Sequence, residues 1–184
     1  RKILKTLLEG TPPDGILVEG TKTVYPNPNL DLYRQLMDRG IPMVFLHGVY
    51  PELQAPVYVL DDNFGGARQL VQYLYKKGPR SIMAMFKGDD LQGLQRYSGF
   101  VHALRDLNLS LDDRQVLWYN TENRDHLLSE EIFANKLQPL WRNCSAMVCY
   151  NDEVAARVIG LLTAKGLRIP EDMAVVSFDN SIYS

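Results

Sequence analysis

Carboxylates, amides, cations and aromatic rings recur through this sequence in short clusters, each just after a run of apolar residues. The clusters are Glu19 and Lys22, then His47 and Tyr50, then Asp61, Asp62 and Phe64. They continue as Lys87, Asp89, Asp90 and Gln92, then Asn120, then Asn151 and Asp152, and finally Asp179 and Asn180. Arg96 and Trp118 complete the set. Planar polar groups of this kind hold adjacent hydroxyls: Arg donates through a fork, Asp accepts, and Asn or Gln does both, while an aromatic face covers the C–H side of a ring. The chemistry that suits the set is recognition of a polyhydroxylated ligand such as a sugar.

Each of these residues also has a plainer role. Taken alone, Asp61, Asn63 and Asp90 read as helix caps, and Asn151 can cap its own helix. Phe64 and Trp118 can be core, and His47 a loop residue at the surface. Reaction chemistry has weaker support. The chain contains no G-x-S-x-G elbow, no G-x-x-x-x-G-K-[ST] loop and no G-x-G-x-x-G after a strand. Its three histidines lack metal-ligand spacing. Gly65-Gly66 could receive a phosphate at a helix start, but close strand–helix packing accounts for it. Asp61-Asp62 and Asp89-Asp90 are weak signals for acid–base work. The expectation is a binding protein with no catalytic residue, no cofactor and no metal.

The elements that must position these groups alternate. Ile3, Leu4, Leu7 and Leu8 have helical spacing, and Gly10 stops that helix. Strands are expected at 15–18, 43–46, 57–60, 82–86, 116–119, 147–150 and 174–178. Helices are expected at 30–39, 64–77, 91–107, 125–140 and 152–165, and Pro26-Asn27-Pro28-Asn29 is a turn-rich loop. Uninterrupted apolar strands argue for a parallel sheet covered on both faces, and the alternation for a doubly wound α/β fold. In such a fold ligands bind beyond the carboxyl ends of the strands, which is where the polar clusters fall.

Composition narrows the partners. Of 184 residues, 46% are hydrophobic, as in a packed globular protein. Lys and Arg number 20 against 22 Asp and Glu, a net charge of −2, with no basic face for holding phosphates. Cys144 and Cys149 match no zinc or redox spacing. Cys149 lies in an apolar run and reads as a reduced thiol in a buried strand, which leans toward the cytoplasm. No run approaches a membrane span, and no signal peptide is present.

Particular segments carry a family resemblance. Asp14-Gly15-Ile16-Leu17-Val18, Gly40-Ile41-Pro42-Met43-Val44 and Leu60-Asp61-Asp62-Asn63-Phe64-Gly65-Gly66 stand in the order and spacing of the lactose/galactose repressor (LacI/GalR) family. Tyr73 to Ile82 continues the pattern. Arg96-Tyr97-Ser98-Gly99-Phe100 resembles its R-x-x-G-F, and Cys149 to Ala155 its strand-end N-D motif. Arg168-Ile169-Pro170-Glu171-Asp172-Met173-Ala174-Val175-Val176-Ser177-Phe178-Asp179-Asn180 resembles its I-P-x-D-x-x-V-x-x-F-D-[ND] signature, which is highly specific. Val18 to Lys22, Phe86 to Gly93 and Cys149 to Glu153 resemble the arabinose-repressor branch, in which the sensor is fused to a GntR-type winged helix. Pro79 departs from the pattern, since a histidine commonly stands there.

The resemblance implies a two-lobed periplasmic-binding-protein-like fold, each lobe a mainly parallel doubly wound sheet, incomplete at both ends in this chain. It implies a partial amino-terminal lobe over 1–79, a partial carboxyl-terminal lobe over 80–184, and a ligand cleft between them. It implies direct sugar contacts from Arg96, Asn151 and Asp179, with Glu19, Lys22, Tyr50, Phe64, Asp89, Asp90, Gln92 and Trp118 as neighbours. It further implies L-arabinose as effector, operator DNA bound through an amino-terminal domain outside this sequence, a homodimer, no membrane partner and a cytoplasmic location. Two rivals remain: a periplasmic sugar-binding protein of a transporter, which shares this fold, and a sugar-modifying α/β enzyme.

Overall fold

Short apolar runs separated by segments of helical periodicity dictate strand–helix alternation. The computed structural model of the chain, which describes residues 1–54, 56–141 and 143–183, has that alternation. The helices are α1 (Lys2–Glu9), α2 (Leu30–Asp38), α3 (Asn63–Lys77), α4 (Leu91–Asp106), α5 (Arg124–Leu127), α6 (Glu130–Trp141) and α7 (Asp152–Ala164). The strands are β1 (Ile16–Glu19), β2 (Met43–Leu46), β3 (Val57–Val59), β4 (Ile82–Lys87), β5 (Val116–Tyr119), β6 (Ala146–Cys149) and β7 (Ala174–Val176). Every pairing between them is parallel. The chain forms two compact units, one of residues 1–61 with 89–91, the other of 62–88 with 92–184.

The first unit holds a three-stranded sheet in the order β1-β2-β3. Alternation along β1 and β2 turns Val18, Met43 and Phe45 toward α1 and α2, where Leu4, Leu32 and Leu36 complete the core. The Phe45 ring packs edge-on against Tyr33 and Tyr50, at 5.4 and 5.5 Å between centroids. On the opposite face Leu17, Val57 and Val59 are exposed, so here the helices cover one side only.

The second unit holds a four-stranded sheet in the order β5-β4-β6-β7. Here both faces are covered, which explains why β4 and β6 are buried residue after residue. On one face Ala84, Phe86 and Val148 meet Val71 and Leu74 of α3 and Phe100 and Leu104 of α4. On the other, Met83, Met85 and Met147 meet Phe133 of α6 and Val158 and Leu162 of α7. After β4 the chain goes to β5 on one side and then crosses to β6 on the other. The carboxyl ends of β4 and β6 therefore form a topological switch point, the place where open α/β sheets bind ligands.

Two expectations are corrected, and one element is added. The single helix over 125–140 is two helices, because Ser129 turns the chain: its hydroxyl donates to the His126 carbonyl, and its own carbonyl receives the Phe133 N–H. The last strand ends at Val176 instead of residue 178, because the Ser177 hydroxyl is drawn to a carboxylate on α7. The run over 113–115 adds a 3-10 turn closed by a capping box between Asp112 and Gln115.

Candidate functional site

Three consecutive cap-forming residues, Asp61, Asp62 and Asn63, precede Phe64, and the structure gives each a different task. Asp62 caps α3, its Oδ1 accepting from Gly65 N at 2.8 Å. Asp61 does not cap; its Oδ2 pairs with His47 Nδ1 at 2.7 Å. Asn63 does not cap either. It begins the helix, is 4% exposed, accepts from Arg96 Nε at 2.8 Å and donates to Gln95 at 3.0 Å.

Arg96 reaches Asn63 because of its neighbours on α4. Gly93, Arg96 and Gly99 recur every third residue and share one buried face. A Cβ on Gly93 would lie 1.8 Å from the Lys87 carbonyl oxygen, and one on Gly99 would lie 2.2 Å from that of Phe64. The bare backbone of α4 therefore presses on the end of β4 and the start of α3, and the Arg96 side chain runs between them. Its guanidinium donates Nη1 to the Tyr150 carbonyl and lies between two rings, 4.2 Å from Phe178 and 4.7 Å from Tyr150. Nη2 stands 3.7 Å from Asp179 Oδ1. That is an ion pair too long for a direct hydrogen bond. Arg96 is 4% exposed whereas the Asp179 side chain is 44% exposed, so the carboxylate opens to solvent over a buried cation.

Asn151 and Gln92 belong to the same switch-point region. Asn151 Oδ1 caps α7 by accepting from Val154 N at 3.0 Å. The Tyr150 hydroxyl donates to Gln92 Oε1 at 3.2 Å. Two of the expected aromatic neighbours stand in other clusters of this unit. Phe64 packs on His102 at 5.2 Å and under Arg68 at 5.9 Å, and Trp118 packs on Tyr97 at 5.0 Å and Phe86 at 6.0 Å.

The first unit gathers a separate group. Glu19, Lys22 and Tyr50 line a concavity of about 280 Å³ together with Asn27, Asn29 and Tyr33. Lys22, at a φ of 54°, turns its backbone N–H onto Asp90 Oδ1 at 2.7 Å. Asp90, which directly precedes α4, thus also accepts from a distant loop, and it is buried together with Asp89. Burial pushes the Tyr50 phenol above its ordinary pKa, with smaller contributions from Tyr33 and Asp90 and an opposing hydrogen bond from Asn27. Asn27, Asn29 and Tyr33 carry no separate signal in the sequence, where their loop and helix positions read as turn and core.

Cys144 and Cys149 are free and buried, and the apolar surroundings of Cys149 hold its thiol far above the ordinary range. Among the described residues no cluster of His, Cys, Asp and Glu could hold a metal ion, and no helix is long and apolar enough to cross a membrane.

Residues 71–184 match the periplasmic binding protein-like domain. The arabinose metabolism transcriptional repressor of Halalkalibacterium halodurans is 36% identical over 93% of this chain and 45% of its own length. That of Geobacillus stearothermophilus is 33% identical over 94% of this chain and 47% of its own length. The chain thus spans about half the length of these relatives. The solved complex of the transcriptional regulator CelR with cellobiose is similar in fold over 99% of this chain and 54% of the solved one, with a TM-score of 0.76 and 27% identity.

Proposed function

This chain belongs to the periplasmic binding protein-like domain family, and we propose that it is the effector-binding part of a sugar-responsive bacterial transcriptional repressor, with L-arabinose as its effector. The observation that carries the reading is the Arg96–Asp179 pair. A buried guanidinium held by Asn63 and Tyr150 faces an accessible carboxylate 3.7 Å away. A cationic donor and an anionic acceptor at that spacing bind two neighbouring hydroxyls, one as acceptor and one as donor. Asn151, next in sequence to Tyr150, adds an amide donor on the same switch-point edge.

Two relatives named as arabinose metabolism repressors support arabinose over other sugars. Their names also favour gene regulation over transport. Glu19, Lys22, Tyr50, Asp89 and Asp90 are further candidate contacts on the first unit. Phe64, Gln92 and Trp118 are candidates on the second. Operator DNA is held by a part of the protein other than this chain, and the working form is a homodimer in the cytoplasm.

The test is thermal melting of the full-length protein with L-arabinose, D-glucose and D-galactose. A ligand that binds only the folded state stabilises it by about 2.7 kcal/mol at a hundredfold excess over Kd. L-arabinose is expected to raise the Tm, and the two hexoses to leave it unchanged. Equal shifts for all three sugars, or none with L-arabinose, remove the assignment.

A further inference from the structure

Asp152 opens α7 and is 3% exposed. A carboxylate so deeply buried must have its oxygens satisfied, and both are. Oδ1 accepts from the Ser177 hydroxyl, and Oδ2 accepts from the Ser181 backbone N–H at 2.6 Å. The two donors flank Phe178, Asp179 and Asn180. Within that interval Asp179 and Asn180 both adopt positive φ, 95° and 48°. Two successive non-glycine residues in this region are unfavourable, and such backbone persists only where surrounding contacts over-determine it. The contacts here include the Asp152 bracket at both ends and the Phe178 ring beneath the Arg96 guanidinium.

Burial raises the Asp152 carboxyl pKa, but the donors from Ser177 and Ser181 outweigh it, and the group is held below its ordinary range. The acceptor is therefore ionised wherever the protein is folded near neutrality. Its place in the first turn of α7 also lets the helix dipole favour the charge.

We infer that Asp152 is a positioning residue for effector binding: it touches no ligand, but by bracketing residues 177–181 it fixes the turn that presents Asp179 to Arg96. This rests on the sugar-binding reading above. Asp152→Asn keeps the shape, but one half of the amide is a donor and faces another donor, so one end of the bracket opens. Ser177→Ala opens the other route to the same result with a milder change.

The measurements are L-arabinose titration by calorimetry and hydrogen–deuterium exchange on the full-length protein. They cover the parent, Asp152→Asn, Ser177→Ala, Asp179→Asn and the Asp152→Asn/Asp179→Asn double variant. Asp152→Asn is expected to weaken L-arabinose binding about tenfold or more and to speed exchange in the peptide covering 177–183, with α3 and β4 unchanged. In the Asp179→Asn background the Asp152→Asn substitution should cost little further affinity, because contacts acting through one another are non-additive. A general structural role would instead give additive losses and exchange raised throughout the second unit, and either result overturns the inference. Should Asp152→Asn fail to fold, Ser177→Ala in the same two backgrounds decides by the same criteria. A parent that does not bind L-arabinose removes the functional reading and this positioning role with it. The exchange data then still decide whether the bracket holds the turn.

Discussion

Arg96 ties the structure together and, in the site proposed above, also offers a donor to the sugar, and two substitutions separate these roles. Arg96→Ala removes the donor now shared by the Asn63 amide oxygen and the Tyr150 carbonyl. Each buried unsatisfied acceptor costs about 1–3 kcal/mol, so this variant is expected to lose both stability and affinity. Asp179→Asn changes an accessible group. Breaking a charged hydrogen bond there should cost about 2–4 kcal/mol of binding, roughly 30- to 1000-fold in Kd, with little change in Tm. Calorimetric titration with L-arabinose beside a melting curve checks both. An Asp179→Asn Kd within about threefold of the parent would remove that residue from the contact set. The sequence puts Arg96 and Asp179 each in a motif after a strand, and the structure pairs them. The other partners of Arg96 were not legible there. Asp61, Asp62 and Asn63 are all good caps by type, only one can take the Gly65 N–H, and side-chain chemistry alone does not say which. The roles of Tyr150 and Phe178 as plates for the guanidinium were equally hidden, because aromatic residues beside apolar strands read as core.

Helix α4 depends on its glycines in a way that α7 does not. Gly93 and Gly99 lie where a methyl group would overlap backbone oxygens, at 1.8 and 2.2 Å. Gly93→Ala and Gly99→Ala should therefore each destabilise the protein by about 1–3 kcal/mol or more and displace Arg96. Gly160, in the middle of α7, has nothing within 4 Å of an added Cβ. Gly160→Ala should stabilise by about 0.5–1 kcal/mol through helix propensity and lost unfolded-state freedom. Urea denaturation of the three variants tests the contrast, and a Gly99→Ala protein as stable as the parent would show that α4 and α3 separate at low cost. The strands of the second unit were legible because burial on both faces leaves an unbroken apolar signature. The break between α5 and α6 was not. Leu127, Leu128, Ile132 and Phe133 keep a helical period across it, and the turn is made by the local hydrogen bonds of Ser129. The early end of β7 was hidden for a similar reason, since the residue that pulls Ser177 away lies 25 positions earlier in the chain.

For the whole molecule, the decisive quantity is charge. Twenty Lys and Arg against 22 Asp and Glu give this chain a net charge of −2. Several of its cations also pair with nearby carboxylates: Arg68 with Asp106, Arg157 with Asp125, and Arg168 with Asp172. Duplex DNA is held chiefly by neutralising phosphates, and affinity supplied that way needs a concentrated basic face. This stretch of 184 residues on its own is therefore expected to give no sequence-specific shift of operator DNA. The full-length protein is expected to bind such DNA, and L-arabinose to weaken that binding by a coupling free energy of about 1–3 kcal/mol, or 5- to 150-fold. Linkage makes the coupling reciprocal, so saturating operator must weaken L-arabinose binding by the same factor. Gel shift with increasing sugar and calorimetry with and without operator measure the two sides of this cycle independently. Matching factors above about fivefold support an effector that acts on DNA binding. Sugar binding that is indifferent to operator would leave a sugar-binding protein with no regulatory role. A specific gel shift by the 184-residue chain alone would place the DNA contact within the sensor itself.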